Sequence, residues 1–236
     1  MRSAVRLLAP LAALLLASGC ATVGPADDRD PIEGLNRAIF SFNEGVDDVL
    51  LKPLASGYKA IAPQPVDKGV TNFFGNMQDV VTTVNDLLQL KIDKALSDAG
   101  RVAINTTLGI LGLFDFATDM GLEKRKEDFG QTLGYWGVGN GPYLVLPILG
   151  SSTLRDAVGI WVDVNFDPLL NLDRTHIADV RTRNALIALK TVDARADLLS
   201  ASRVLEEAAL DKYDFIKEGY FQTREDSIHD GKTPKP

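Results

Sequence analysis

Cysteine and histidine are nearly absent from this chain of 236 residues. Cys20 is the single cysteine, which excludes an intramolecular disulfide and leaves no second thiol for a redox pair or a metal site. The two histidines, His176 and His229, do not have the spacing of a zinc motif. We therefore predict that the protein uses no metal and no cofactor.

Motifs for covalent or nucleotide chemistry are also missing. No Gly-x-Ser-x-Gly segment occurs. Residues 231–233 resemble the end of a phosphate-binding loop, but position 226 is Asp where that motif needs Gly. Residues 137–141 contain three glycines without the flanking strand and helix of a dinucleotide fingerprint. Acidic residues such as Asp156 and Asp163 are better explained as helix caps and solvated faces than as an acid–base pair. We predict that the protein is not an enzyme, and no nucleophile–base pair supports the alternative of a lipase.

Positive charge and long apolar runs are scarce as well. The chain has 25 basic and 32 acidic residues, a net charge of −7, which becomes −9 without Arg2 and Arg6. This balance argues against nucleic acid as a partner and against electrostatic adhesion to anionic lipid. After Cys20 no segment approaches 18 uninterrupted apolar residues, so we predict that none spans a bilayer alone. Contact with a membrane would then be apolar.

The first twenty residues have the architecture of a secretion signal. Arg2 and Arg6 precede an apolar run from Leu7 to Ala17 that contains Pro10 and is too short for a membrane span. Small residues lead to Gly19-Cys20 in the manner of a lipobox. We predict a lipoprotein signal peptide at 1–19, acylation of Cys20 and a flexible tether over 20–29. The alternative is an ordinary signal peptide with an incidental cysteine.

Helical periodicity dominates residues 30–224, which we predict to be one all-α domain. Asp30-Pro31-Ile32-Glu33 is typical of a helix start, with Asp30 as the N-cap. Apolar residues then recur every three or four positions to Val49, and again from Val66 to Leu87. Further helices are predicted over 93–107, from a Ser152 cap to Val164, over 175–199 and over 202–222. Residues 225–236 are predicted to be a disordered tail.

Glycine and proline interrupt this pattern in two apolar segments. Residues 108–117 are broken by Gly109 and Gly112, and residues 134–150 carry glycines too densely for regular helix. We interpret the second segment as a hairpin-like loop. The first two helices also have wide apolar stripes with bulky aromatics. A packed helical core is the simpler explanation of either stripe alone, but together with the anchor and the apolar loop they favour helices that lie in a membrane interface.

Several motifs resemble the MlaA (VacJ) lipoprotein family. Asp30-Pro31-Ile32-Glu33-Gly34-Leu35-Asn36-Arg37 is similar to the family's opening, and Pro63-Gln64-Pro65 before Gly69-Val70-Thr71-Asn72-Phe73 is similar to its second helix. The segment from Asp128 to Pro147, with Thr153-Leu-Arg-Asp156 after it, carries the most specific likeness. The resemblance covers residues 30–224.

The resemblance implies a function in maintaining the outer membrane. Proteins of this family form a helical ring around an amphipathic channel in the periplasmic leaflet of the outer membrane. They are associated with trimeric porins and pass mislocalised phospholipid from the outer leaflet to a soluble periplasmic carrier. The resemblance thus implies retrograde phospholipid transport, with phospholipid, membrane, porin and carrier as partners. The alternative is a lipoprotein scaffold that holds envelope proteins together without moving lipid.

The same resemblance assigns expected roles to residues. Cys20 would carry the covalent lipid. Phe42 would lie near the channel base, and the helices that carry Ile39, Phe42, Phe73 and Phe74 would face the membrane. Gly137, Gly139 and Gly141, followed by Pro142, would be hinges of a loop that gates or lines the channel, where a plain tight turn is the alternative.

Overall fold

The structure is a computed structural model that describes residues 27–174 and 178–232. Within those residues the chain forms ten α-helices, one π-helical turn and one two-stranded antiparallel sheet. The helices are α1 (Glu33–Val46), α2 (Lys52–Ile61), α3 (Gln64–Leu88), α4 (Ile92–Thr107), α5 (Phe116–Asp119), α6 (Phe129–Tyr135), α7 (Leu154–Asp163), α8 (Val180–Asp197), α9 (Leu199–Ala208) and α10 (Lys212–Ile228). The π-helical turn is Asp47–Leu51, and the strands are β1 (Tyr143–Leu146) and β2 (Gly150–Thr153). The predicted helical class is confirmed. Residues 1–19, Cys20 and His176 lie outside the described residues.

Two predicted helix caps are wrong. Helix α1 begins at Glu33, and the carboxylate of Asp30 instead accepts hydrogen bonds from Asn36 Nδ2 at 2.7 Å and from Tyr213 Oη at 2.5 Å. A buried carboxylate with these two partners is not available to cap a helix. Ser152 lies in β2, and Thr153 caps α7 by accepting from the backbone of Asp156.

The predicted boundaries at both ends of the domain also need correction. The helix predicted over 202–222 is two helices, because Asp211 starts α10 by accepting from the backbone N–H groups of Tyr213 and Asp214. Residues 225–228 belong to α10 and not to a disordered tail. The last residues of the predicted tether are fixed too, since Arg29 O accepts from Tyr143 N at 2.7 Å and its side chain pairs with Glu218.

The packed helices and strands form a closed circuit. Helix α1 packs on β1, the hairpin packs on α7, and α7 packs on α6. Helix α6 then contacts α3, α3 contacts α8, α8 packs on α2, and α2 returns to α1 through the π-helical turn. Helices α9 and α10 attach to this circuit, α9 on α2 and α8, and α10 on α6 and β2. The described part of the chain is therefore a ring of packed elements, which agrees with the predicted ring-like architecture.

Glycine permits the closest crossing in the ring. A Cβ atom at Gly159 of α7 would lie 2.4 Å from Gly130 N and 2.7 Å from Gly130 Cα of α6. Both atoms belong to the backbone and cannot rotate away. The contact between α6 and α7 is thus one that only glycine at position 159 allows.

The described part of the chain contains two small clusters of buried apolar side chains. Phe74 of α3 packs with Leu169 and Leu172, and residues of α8 complete that cluster. Tyr143, Val145 and Tyr213 form the second cluster, where the hairpin meets α1 and α10. Among the described residues no helix is long and apolar enough to cross a membrane.

Candidate functional site

The distribution of polar and apolar side chains is inverted relative to that of a water-soluble domain. Among the described residues, twenty polar or charged side chains are buried but only twelve hydrophobic ones are. Thirty-six large hydrophobic side chains are exposed in the same part of the chain. Charged residues are almost never fully buried in soluble proteins unless they are paired. This surface fits an apolar surrounding, and the interior is held together by polar contacts.

Helices α3 and α4 show the inversion most clearly. Helix α3 buries polar side chains spaced three or four residues apart, namely Asn76, Asp79, Thr82 and Asp86, and Gln89 continues this row just after the helix ends. Helix α4 likewise buries the polar side chains of Asp98, Arg101 and Asn105. The leucines Leu87, Leu88 and Leu96 are exposed on the same helices. Two helices joined in this way present their apolar residues outward.

Arg101 of α4 and Asp79 of α3 are buried charges with opposite-charge partners. Arg101 donates to Asp79 at 3.2 Å and to both carboxylate oxygens of Asp115 at 2.9 and 3.0 Å. Lys124 also donates to Asp79 from the loop after α5. Burial raises the pKa of Asp79, although Lys124 and Arg101 pull it down. Hydrogen bonds from Thr118, Asn105 and Arg101 outweigh burial at Asp115 and lower its pKa to about 2.

One group of carboxylates in the same interface is poorly compensated. Both oxygens of the fully buried Asp86 lack a hydrogen-bond donor, and so does Oδ1 of Asp98. Burial first, then Asp98 and the charge of Glu127, raise the pKa of Asp86 to about 8, while Arg125 opposes the shift. Asp86 is thus protonated over most of the neutral range. It can then donate its proton to Asp98, as carboxyl pairs that share a proton do.

The glycine-broken segment after α4 forms an apolar projection. Leu108, Ile110, Leu111 and Phe114 are all exposed. The segment is nevertheless fixed, because Asn72 Nδ2 donates to Leu113 O and Gly112 N donates to Asn105 O. A rigid loop with bulky apolar side chains pointing outward is suited to contact with lipid or with another apolar surface.

Both tryptophans of the chain also lie on the surface. Trp136 is 58% exposed and Trp161 is 72% exposed. Trp136 Nε1 donates to Leu88 O, which ties the end of α6 to the end of α3. Tryptophan with one polar atom satisfied and its ring outward is typical of a membrane–water boundary.

The residues predicted to face a membrane occupy different environments. Phe42 is 55% exposed on α1. Ile39 and Phe73 are half-buried, each at the edge of one apolar cluster. Phe74 is only 4% exposed and lies in the core against Leu169 and Leu172. The side chain of Phe74 therefore does not face a membrane, because its ring fills the contact between α3 and the segment after α7, while the membrane-facing position of the helix itself stays a prediction. The position of Phe42 relative to a channel stays a prediction.

Two asparagines of α1 hold the hairpin. Asn36 Nδ2 donates to Tyr143 O at 2.9 Å, and Asn36 Oδ1 accepts from Val145 N at 2.9 Å. Two helical turns later, Asn43 Nδ2 donates to Leu146 O and Asn43 Oδ1 accepts from Ile148 N. Each amide therefore bonds to the backbone of the hairpin as a neighbouring strand would. The two side chains dock β1 and the hairpin tip on α1.

The predicted hinge residues differ in their need for glycine. Gly137 and Gly141 have φ values of +85° and +67°. Gly139 has no positive φ, and a Cβ atom added there would have no neighbour within 4 Å. The backbone conformation at position 139 therefore does not require glycine. Pro142 lies at the base of the hairpin, where its carbonyl accepts from Leu154 N. A hinge motion stays a prediction for Gly137, Gly139 and Gly141.

Valine at Gly141 is expected to destabilise the protein by about 2 kcal/mol, because a β-branched residue resists positive φ. The new Cβ would also lie 3.1 Å from Leu154 Cβ. Gly139→Val is the matched control and should cost less than about 0.5 kcal/mol, as at an ordinary surface site. Thermal unfolding of both variants in the same detergent tests this. Equal losses in the two variants would contradict it.

A cavity of about 390 Å³ opens between α1, the π-helical turn, the hairpin tip and the last three helices. Its size falls in the range of small-molecule sites, about 300–1,000 Å³. Its polar lining residues are Asn43, Glu44, Asp47, Asp48, Arg195, Ser202, Glu206 and Lys212. Apolar side chains lie between them, among them Phe40, Leu51, Ile148, Leu198 and Leu205. Such a wall can accept a molecule that has both a charged and an apolar part.

An ion pair fixes the wall where the π-helical turn faces α8. Arg195 Nε and Nη2 donate to the two oxygens of Asp47 at 2.6 and 2.7 Å, and Nη1 donates to Ser202 Oγ. The hydrogen bonds and the charge of Asp47 raise the pKa of Arg195. This planar, two-point contact joins residues 148 positions apart in the chain.

Sequence reasoning missed Asn36, Asn43 and the pair Asp47–Arg195. The signal for the asparagines was present, since both interrupt the apolar stripe of α1 with a spacing of seven residues, on one helix face. A polar side chain in such a stripe needs a buried polar partner. The Asp47–Arg195 pair left no comparable signal, because neither residue departs from the pattern of a solvated helix face.

Comparison with known proteins places this arrangement in context. The family model described as MlaA lipoprotein matches residues 28–227. The Escherichia coli K12 protein named intermembrane phospholipid transport system lipoprotein MlaA is 34% identical over 98% of this chain and 92% of its own length. A Rickettsia bellii protein without an assigned function is 41% identical over 88% of this chain and 81% of its own. A solved structure from work on the structural basis for maintenance of bacterial outer membrane lipid asymmetry is similar with a TM-score of 0.73 and 32% identity, covering 84% of this chain and 98% of that one.

Proposed function

Because this chain belongs to the MlaA lipoprotein family, we propose that it transports phospholipid between membranes and thereby maintains the lipid asymmetry of the outer membrane. The direction is retrograde: mislocalised phospholipid leaves the outer leaflet and passes towards the periplasm. The ring lowers the cost of moving a headgroup through hydrocarbon, which is large when no polar group accompanies it. The acyl chains meanwhile stay in apolar surroundings.

The inverted burial is the observation that carries this proposal. Exposed leucines and aromatics fit a lipid surrounding, and the buried interior is polar and charged. The cavity beside the hairpin tip is lined by both charged and apolar side chains. A phospholipid needs both, because its headgroup is charged and its tails are not.

The alternative of a non-transporting scaffold has less support. A scaffold predicts a filled apolar core with one exposed apolar patch. The described residues have two small apolar clusters instead. Each of the ten helices also carries at least one exposed large hydrophobic side chain, so the apolar surface is not a single patch. The proposal includes no chemical step, which makes the protein a transporter and not an enzyme.

The anchor and the partners complete the proposal. Cys20 carries the covalent lipid, no other cofactor is needed, and the domain lies in the periplasmic leaflet of the outer membrane. A trimeric porin holds the ring there, and a soluble periplasmic carrier receives the phospholipid. These assignments rest on the lipobox-like sequence before Cys20 and on membership of the family.

Outer-leaflet phospholipid on cells that lack this protein tests the proposal. We expect phospholipid to accumulate on the cell surface of the deletion strain and to be cleared by the wild-type gene. Cys20→Ser, which cannot be acylated, is expected to restore clearance poorly although the domain itself is unchanged. A deletion strain with an unaltered outer leaflet would refute transport as the main function.

A further inference from the structure

The charged side chains around the cavity are predominantly acidic. Four carboxylates line it, from Glu44, Asp47, Asp48 and Glu206, against the two cations Arg195 and Lys212. The wall therefore has a net charge of −2. Lys52 lies just outside it and pairs with Glu206 at 2.9 Å, which leaves the neighbourhood at −1.

The cations of the wall are already engaged. Arg195 holds both oxygens of Asp47 and also Ser202 Oγ. Lys212 Nζ donates to Glu44 at 3.0 Å. An incoming phosphate group must share the donors of Arg195 and Lys212 with the carboxylates that already bind them. A second negative charge on the same molecule would find no cation in the described wall.

Asp48 is the least engaged of the carboxylates. Its side chain is 65% exposed, and its nearest cation is Lys52 at 3.5 Å. Glu206 lies on the same side, since both carboxylates contact Lys52. An ammonium group that enters the cavity can therefore join Asp48 and Glu206 without breaking the ion pair of Arg195.

We infer that this cavity selects zwitterionic phospholipids whose headgroup carries an ammonium, and discriminates against anionic phospholipids with an uncharged glycerol headgroup. The inference rests on the proposed function and names its substrate class. The ammonium is drawn to Asp48 and Glu206 while the phosphate lies towards Lys212 and Arg195. An anionic lipid brings the phosphate charge without the compensating cation, so like charges meet across the wall.

Lipid retained by the full-length lipoprotein tests the inference. The protein is stripped of lipid in detergent, exchanged against vesicles of equal parts phosphatidylethanolamine and phosphatidylglycerol, repurified and analysed for bound lipid by mass spectrometry. We expect phosphatidylethanolamine to exceed phosphatidylglycerol by about tenfold, the ratio for one screened charge contact. The double variant Asp48→Asn/Glu206→Gln should bring the ratio near one.

Glu207→Gln is the matched control, because Glu207 is the next residue on α9 and does not line the cavity. It should keep the ratio of the wild type. Retention of both lipids in equal amounts by the wild type would overturn the inference and leave the proposed function intact. Retention of neither lipid would count against both. Helical content measured by circular dichroism confirms that each variant is folded.

Discussion

Replacing Asn36 by leucine is expected to release the hairpin from α1 at a cost of about 3 kcal/mol, because buried polar groups left without partners each cost about 1–3 kcal/mol. Leucine keeps the volume of the side chain but removes the amide. Val145 N and Tyr143 O then lose their partner inside the protein, and Asp30 loses a donor. All three groups are buried, so water cannot replace the amide without opening the contact.

Asn43→Leu is the matched comparison. It breaks the same two kinds of hydrogen bond, to Leu146 O and Ile148 N, but near the exposed tip of the hairpin. Water can replace the amide there, and the expected loss is about 0.5–1 kcal/mol. Thermal unfolding and hydrogen–deuterium exchange of residues 143–153 measure both effects. Faster exchange in the hairpin is expected for Asn36→Leu, and a fall in stability with unchanged exchange would mean that the helix and not the docking had been damaged.

Replacing Asp86 by asparagine is expected to stabilise the protein at alkaline pH. The pKa of Asp86 is about 8 in the folded state, against 3.8 as the ordinary value. The folded state therefore binds more protons than the unfolded state between these two values. The contribution of Asp86 to stability therefore falls as pH rises through this window and is smallest above pH 8. Asparagine cannot ionise, and its amide donates to Asp98 at every pH.

The stability gain of the variant is expected to be about 2–3 kcal/mol at pH 8. A shift between the two pKa values is worth about 1.4 kcal/mol per pH unit. We expect roughly half of that total, because solvent and side chains relax around an ionised group. At pH 4 the variant and the wild type should unfold at the same temperature. Asp93→Asn removes an exposed carboxylate from the same helix as Asp98 and serves as the control. If Asp86→Asn and wild type lose stability in parallel from pH 5 to pH 9, the shared proton does not exist.

Periodicity predicted the long helices α1, α3, α4, α7 and α8, but not α2, α5 or α6, and not what the helices pack against. The stripe from Val66 to Leu87 identified α3, because apolar spacing reflects helix geometry in any surrounding. Periodicity does not predict which face of the helix is buried. In water the apolar stripe would be buried, whereas α3 buries Asp79, Thr82 and Asp86 over most of its length. Phe74, with its neighbours at the α8 contact, and Val81 are the buried apolar residues of α3 that follow the rule for soluble proteins.

Local signals likewise predicted the hairpin but not its attachment. Dense glycine and proline excluded helix between Gly137 and Pro142, and two strands follow. The docking partners lie on α1, more than a hundred residues earlier. Contacts across such distances in the chain depend on how the ring closes, which short-range patterns do not contain. The cavity escaped prediction for the same reason, since its wall combines residues 40–51 with residues 195–216.

The inverted surface has a consequence for where the protein is stable. In water, folding this chain would leave its large hydrophobic side chains exposed and would bury charges at a cost, so the hydrophobic effect offers little drive towards the ring. In contact with lipid the same hydrophobic side chains lie in an apolar surrounding, and the polar contacts of the interior become stronger. We therefore expect the ring to be more stable in contact with lipid than in water.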